Sequence, residues 1–229
     1  MSSTYDLSTG RVHFISLARE VIHVAYWYLP RVLAVGFVWS LLSVTIVLVA
    51  PATAVAFAAG RSILERESFG VRDAGQAFVQ YFWRAQAAFV PAFIQLTITW
   101  WLWYLAVSTN SLALTLVAFL AFDVLLLYCY LMLYYGPLLV DETVRRAVLP
   151  AADRTTPSAP TLARASATVA VTNVRASVGL FLFIGSLAAL LAFTVVGFAF
   201  LAPGILAITT LLTARYVFGE GETSSETPT

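Results

Sequence analysis

The sequence predicts an all-α fold, a polytopic helical membrane bundle of about six membrane-embedded helices with the first two forming a hairpin. Three observations predict it. Hydrophobic residues make up 60% of the 229 and charged residues only 11%, against about 45–50% and 25% in soluble domains. Four long apolar blocks divide the chain, Val32–Gly60, Ala87–Val107, Leu112–Val140 and Val178–Phe218. The 13 basic residues are all arginine and fall in a few polar segments. This composition excludes a soluble globule, and it excludes disorder except at the ends. A net charge of +1 gives no footprint for nucleic acid.

Each block is sized against the roughly 20 residues that cross a bilayer. Ala87–Val107 is one span. Leu112–Val140 is one span with an extension. Val178–Phe218 has 41 residues, enough for two spans joined tightly near Val196–Gly197–Phe198. Val32–Gly60 has 29, long for one upright span and short for two.

Arginine placement bears on that ambiguity. Three arginines precede Val32, four lie in 61–86, five in 141–175, and Arg215 stands at the end. If all these segments are cytoplasmic, the positive-inside rule is satisfied by all 13. This needs an even number of crossings, or a re-entrant hairpin, within Val32–Gly60, and it puts both termini in the cytoplasm of a plasma-membrane protein. The alternative is five spans with the N-terminus outside.

In the hairpin reading, Ile15, Ala18, Ile22, Ala25 and Leu29 recur at helical spacing. A helix beginning there enters the membrane obliquely and ends near Val49. Pro51 then sits in the first turn of the return helix. Ala52, Ala56 and Gly60 follow on one face, and small residues at this spacing let helices approach closely. Pro51, Ala52, Ala56 and Gly60 are thus the expected helix-packing motif.

Farther on, Ser68–Phe69–Gly70 predicts a break, followed by a helix from Val71 into the second block. From Thr161 a helix is expected to run into the Val178 block. Trp100, Trp101, Trp103 and Tyr104 form an aromatic belt at the outer end of their span. Residues 1–218 form one membrane domain. Residues 219–229, with Glu220, Glu222 and Glu226, form an acidic tail expected to be disordered. No cleavable signal is expected ahead of Val32. The composition, rich in Ala, Val and Arg, and the acidic tail suggest a high-GC prokaryotic source, with a halophile as one option.

Asp123 is the one formal charge deep inside a confident span. The flanking spans are antiparallel about the 108–111 connection, which puts Asp123 level with Leu96. Gln95 and Thr97, with Thr99 nearby, form with Asp123 the candidate intramembrane polar site. It reads either as a protonatable, substrate-contacting site or as interhelical glue in which a protonated Asp123 bonds Gln95. The glue reading is preferred, because no basic residue shares that depth.

No enzyme signature accompanies it. Cys129 is the single cysteine, so no disulfide framework or cysteine metal cluster forms. His13, Ser16, Glu20, His23 and Trp27 share a face of the first helix, but the histidine spacing makes no short ligand motif. No metal, cofactor or catalytic residue is expected. Asp141, Glu142, Arg145 and Arg146 read as a solvated salt-bridge patch at the cytoplasmic edge.

Residues 39–85 resemble the YesL-like family of integral membrane proteins of unknown function. Pro51, Ala52, Thr53 and Ala54 fit its small-residue motif, and Arg61 its following basic helix. Phe78, Phe82 and Trp83 fit its aromatic segment. Upstream the chain departs from the pattern, with Thr45, Leu48 and Ala50 where Pro, Thr and Gly are expected. The family supplies no catalytic residues. Its members often accompany carbohydrate-uptake genes, so the resemblance implies a non-enzymatic accessory or regulatory role beside a solute transporter. The partners expected are the lipid bilayer and a membrane transporter complex; oligomeric state is left open. The alternative is a small transporter or channel subunit using Asp123 and Gln95.

Overall fold

The computed structural model describes residues 5–6, 11–12, 14–151, 154–155, 157–192 and 201–218. Strands β1 (Tyr5–Asp6) and β2 (Arg11–Val12) pair antiparallel. Everything else regular among the described residues is helical. The helices are α1 (Phe14–Trp27), α2 (Leu29–Ser43), a 3-10 turn (Ile46–Leu48), α3 (Val49–Leu64) and α4 (Val71–Thr109). Then come α5 (Leu112–Leu131), α6 (Tyr135–Val140), α7 (Glu142–Val148), α8 (Ala159–Thr172), α9 (Val174–Ala192) and α10 (Ala202–Phe218). The fold is an all-α bundle.

The segments Val71–Thr109 and Leu112–Val140 are long and apolar enough to cross a membrane, and up to four segments are if each bent helix pair is one span. The shorter apolar helices are α3 and α10. The proposed tight joint at 196–198 and the acidic tail lie outside the described residues.

Two long helices expected from the sequence are instead sharply bent. The axis turns by 87° between α1 and α2. Pro30 occupies the first turn of α2, where its missing N–H is harmless, whereas it could not continue α1. The chain therefore restarts at Leu29 rather than running on obliquely from Ile15. The second bend, 104°, separates α8 from α9. Asn173 stands at the break with φ −110° and ψ 47°, outside helical geometry, and both its backbone N–H and its side-chain amide donate to the Val169 carbonyl, at 3.0 and 3.3 Å.

Other boundaries follow from local chemistry. Asp73 Oδ2 accepts from the Gly70 N–H at 2.8 Å and fixes the start of α4. Asn110 ends α4 in the left-handed region, φ 48°, a conformation Asn tolerates. Ser111 then caps α5.

At the centre of the bundle α3 packs against α2, α4, α6 and α10. Trp39 Nε1 donates to Thr53 Oγ1 at 3.1 Å, a contact equidistant in sequence from Ile46, so α2 and α3 are an antiparallel hairpin. With 15 and 16 residues, these helices are about 22–24 Å long, short of the roughly 30 Å hydrocarbon core.

Pro51, Ala52, Ala56 and Gly60 are all buried along α3. A Cβ on Gly60 would lie 3.2 Å from Leu211 Cδ1 and 3.4 Å from Ala207 Cβ, so α10 rides directly on this glycine. On the same stripe of α10, about a turn before Ala207, a Cβ on Gly204 would meet Val32 Cγ1 at 2.8 Å. These two glycines let one face of α10 lie close against both α2 and α3.

The larger core surrounds Tyr134, Leu138, Leu162 and Leu180, and a second gathers Leu17, Val32, Ile63 and Ile208. Tyrosines stitch α5 and α6 to their neighbours. Tyr128 donates to the Ala88 carbonyl at 2.6 Å, Tyr130 to Ala170 at 2.8 Å and Tyr135 to Arg84 at 2.6 Å. By contrast, the α4–α5 hairpin is mostly exposed along its apolar length, at Ile94, Leu96, Ile98, Leu116, Phe119 and Leu120 among others. Trp100, Trp101 and Tyr104 are exposed near its tip.

Candidate functional site

The strongest concentration of chemistry is a four-residue ionic cluster where α3, the α6–α7 junction and α10 meet. α3 contributes Arg61 and, at its C-cap one turn on, Glu65. Arg61 Nε lies 3.0 Å from Glu65 Oε1 and 3.1 Å from Oε2. Its Nη1 donates to the Val140 carbonyl at 3.0 Å. From α10, Arg215 donates through Nη2 to Glu65 Oε1 at 2.8 Å and through Nε to Asp141 Oδ2 at 2.6 Å. Asp141 spends its other oxygen on the Thr143 N–H at 2.9 Å, capping α7.

Asp141 is fully buried, whereas Arg61, Glu65 and Arg215 keep some access to solvent. The cluster holds two guanidiniums and two carboxylates, so its charge balances. A buried carboxylate is tolerated because both its oxygens are satisfied. The arrangement can tie three distant chain segments together.

Here the solvated-patch expectation needs correction. Asp141 does not share the exposure of Glu142 and Arg146; α10 closes over it and supplies Arg215. Glu142 and Arg146 do form an exposed pair at 2.8 Å. The Arg146 hydrogen bond holds the Glu142 carboxyl below its ordinary value of 4.5.

The polar residues of the hairpin are placed differently from the expected site. Gln95 crosses to α5, but its Nε2 donates to the Ala121 carbonyl at 2.9 Å, not to Asp123. Thr97 donates to Phe93 at 2.8 Å and Thr99 to Gln95 at 2.9 Å, both within α4. Asp123 is exposed. It makes no hydrogen bond or ion pair among the described residues. The Asp123–Gln95 bond is therefore not formed, because Asp123 lies on a face of α5 turned away from α4.

On the first helix, Glu20 accepts a hydrogen bond from the Tyr216 hydroxyl, joining α1 to α10. His13 lies outside the described residues. Among the described residues no three His, Cys, Asp or Glu side chains are grouped to hold a metal ion.

Sequence reasoning missed the ionic cluster. Arg61 and Glu65 carried a signal, since opposite charges four apart pair on a helix. Nothing local joins either of them to Arg215.

Comparison with known proteins adds no relative: no family model, no curated protein and no solved structure matches this chain.

Proposed function

We propose that this chain is a non-enzymatic integral membrane protein that acts as an accessory or regulatory subunit of a solute uptake system in the plasma membrane. The observation that carries the reading is the α4–α5 hairpin. It is long, apolar and little covered by the rest of the chain, and it carries Asp123 bare near the middle of α5. A carboxyl at that depth costs about 2.5–3.5 kcal/mol on insertion scales, and such residues normally face a protein partner. A membrane subunit with a polar or basic residue at that level supplies one. The YesL-like resemblance supports a carbohydrate as the solute. The arginine distribution supports cytoplasmic termini.

Crosslinking tests this reading. A photoreactive residue at Leu120 or Leu127, on the Asp123 side of α5, is expected to capture a transporter subunit in native membranes. Deletion of the protein is expected to alter uptake through that partner, while liposomes holding the protein alone move no sugar. Saturable flux by the isolated protein would overturn the accessory role and favour the transporter alternative.

A further inference from the structure

A groove separate from both the ionic cluster and the exposed hairpin runs between α2 and α3. It encloses about 150 Å³ and is walled by Ala34, Val38, Trp39, Ala52, Val55 and Ala59. These residues recur at helical spacing, so one face of each helix forms each wall. The alanines keep the slot open. Its depth is apolar, and the Trp39 indole N–H is already engaged by Thr53.

One end of the groove differs. Arg31 stands there, beside Phe69, Gly70 and Val71. Its Nη1 donates to the Glu67 carbonyl at 3.1 Å, and its guanidinium lies 5.5 Å from the Tyr28 ring centroid. A guanidinium has five N–H donors, so this contact fixes its position and leaves others for a ligand. Among the described residues Arg31 has no carboxylate partner. The nearby acids Glu67 and Asp73 line the adjoining polar cleft instead, and Asp73 caps Gly70.

We propose that this groove holds a hydrocarbon chain of an acidic phospholipid, with the lipid phosphate on Arg31. The charge sits where the polar end of a lipid would be, at the start of the apolar run of α2, and the slot extends inward from it. A planar guanidinium matches a phosphate bidentately. The surrounding bilayer is the source of the ligand, and no other part of the protein is needed to complete the site.

The test uses the full chain in detergent, titrated with phosphatidylglycerol or phosphatidylcholine and followed by thermal unfolding and native mass spectrometry. Phosphatidylglycerol is expected to raise the unfolding midpoint by several degrees and to remain as one bound lipid. Phosphatidylcholine is expected to do markedly less. Arg31→Gln is expected to bind the two lipids alike. Ala34→Trp, which fills the groove from an exposed position, is expected to lose bound lipid while unfolding at the lipid-free midpoint. Should it misfold, Val38→Trp makes the same test from another exposed position. Equal binding of the two lipids by the unaltered protein would overturn the proposal, and so would a preserved preference in Arg31→Gln or lipid retained by both Trp variants. The same stabilisation by inorganic phosphate would assign Arg31 to a free anion and overturn the lipid.

Discussion

Arg215 Nε lies 2.6 Å from Asp141 Oδ2 across 74 residues of sequence, and it is this contact that allows a carboxylate to stand fully buried at the end of an apolar helix. The same guanidinium reaches Glu65, so a single side chain on α10 holds both α3 and the α6–α7 junction.

Removing one partner of a buried pair leaves the other uncompensated, at a cost of about 3–5 kcal/mol. Because Arg215 keeps partial access to solvent, Arg215→Met is expected toward the low end of that range. Arg215→Lys is expected to recover only part of the loss, since an ammonium cannot fork between Glu65 and Asp141 as a guanidinium does. Thermal unfolding in detergent, with Asp141→Asn alongside, checks this. Unchanged midpoints in all three would remove the cluster from the account of stability.

Glu142, one residue from Asp141, is expected to behave oppositely. Its carboxyl is held below the ordinary 4.5 by Arg146. Any stabilisation from this pair is therefore present above that value and fades as pH falls through the lowered one. The pair is exposed and screened, so Glu142→Gln is expected to leave the neutral-pH unfolding midpoint within error. A fall comparable to that of Asp141→Asn would contradict the difference in burial.

Close helix approach is tested at Gly204. A methyl added there meets Val32 Cγ1 at 2.8 Å, and overpacking of this kind costs about 1–3 kcal/mol. Gly204→Ala is expected to destabilise by that amount. Val32→Ala should relieve part of it, so the double variant loses less than the two single losses combined.

At the hairpin, Gln95→Leu removes the bond to Ala121, and interhelical bonds in membranes average about 0.6 kcal/mol. Asp123→Leu removes no bond within the described chain. The expected outcome is a small loss of stability for Gln95→Leu and none for Asp123→Leu in detergent. In native membranes the order reverses for partner capture, with Asp123→Leu losing it and Gln95→Leu keeping it.

The proposed orientation is checked by thiol labelling in a Cys129→Ala background. Cysteines placed at Ser3, Ser68, Ser158 and Ser224 are all expected to resist an impermeant reagent in intact cells. Labelling at Ser3 alone would establish the five-span alternative.

The apolar blocks were enough to locate α4 and α5 because their joint is marked by Ser108, Asn110 and Ser111 between long hydrophobic runs. The bends at Tyr28 and Asn173 were harder to read. Apolar spacing continues through both; the first break follows from the backbone donor that Pro30 lacks, and the second lies in the backbone conformation of the single residue Asn173. For Asp123, counting residues from the joint brought Gln95 to within a turn of the right level. Direction was not legible, since α5 is apolar on every side and its pattern defines no inward face. Asp141 misled in another way. Four ionisable residues within six positions suggest water, but the lid over Asp141 comes from a helix more than sixty residues later.

The placement of α10 has a consequence for biogenesis. It contacts α1, α2 and α3, so these earlier helices are completed by one made much later. Until residues 202–218 leave the ribosome, the Gly60 face of α3 has no covering helix, and Glu65 and Asp141 lack their shared arginine. Contacts of such long sequence separation close slowly. Helices α1–α3 therefore stay half-assembled until α10 is made, and a chain stopped before Ala202 leaves that seam uncovered.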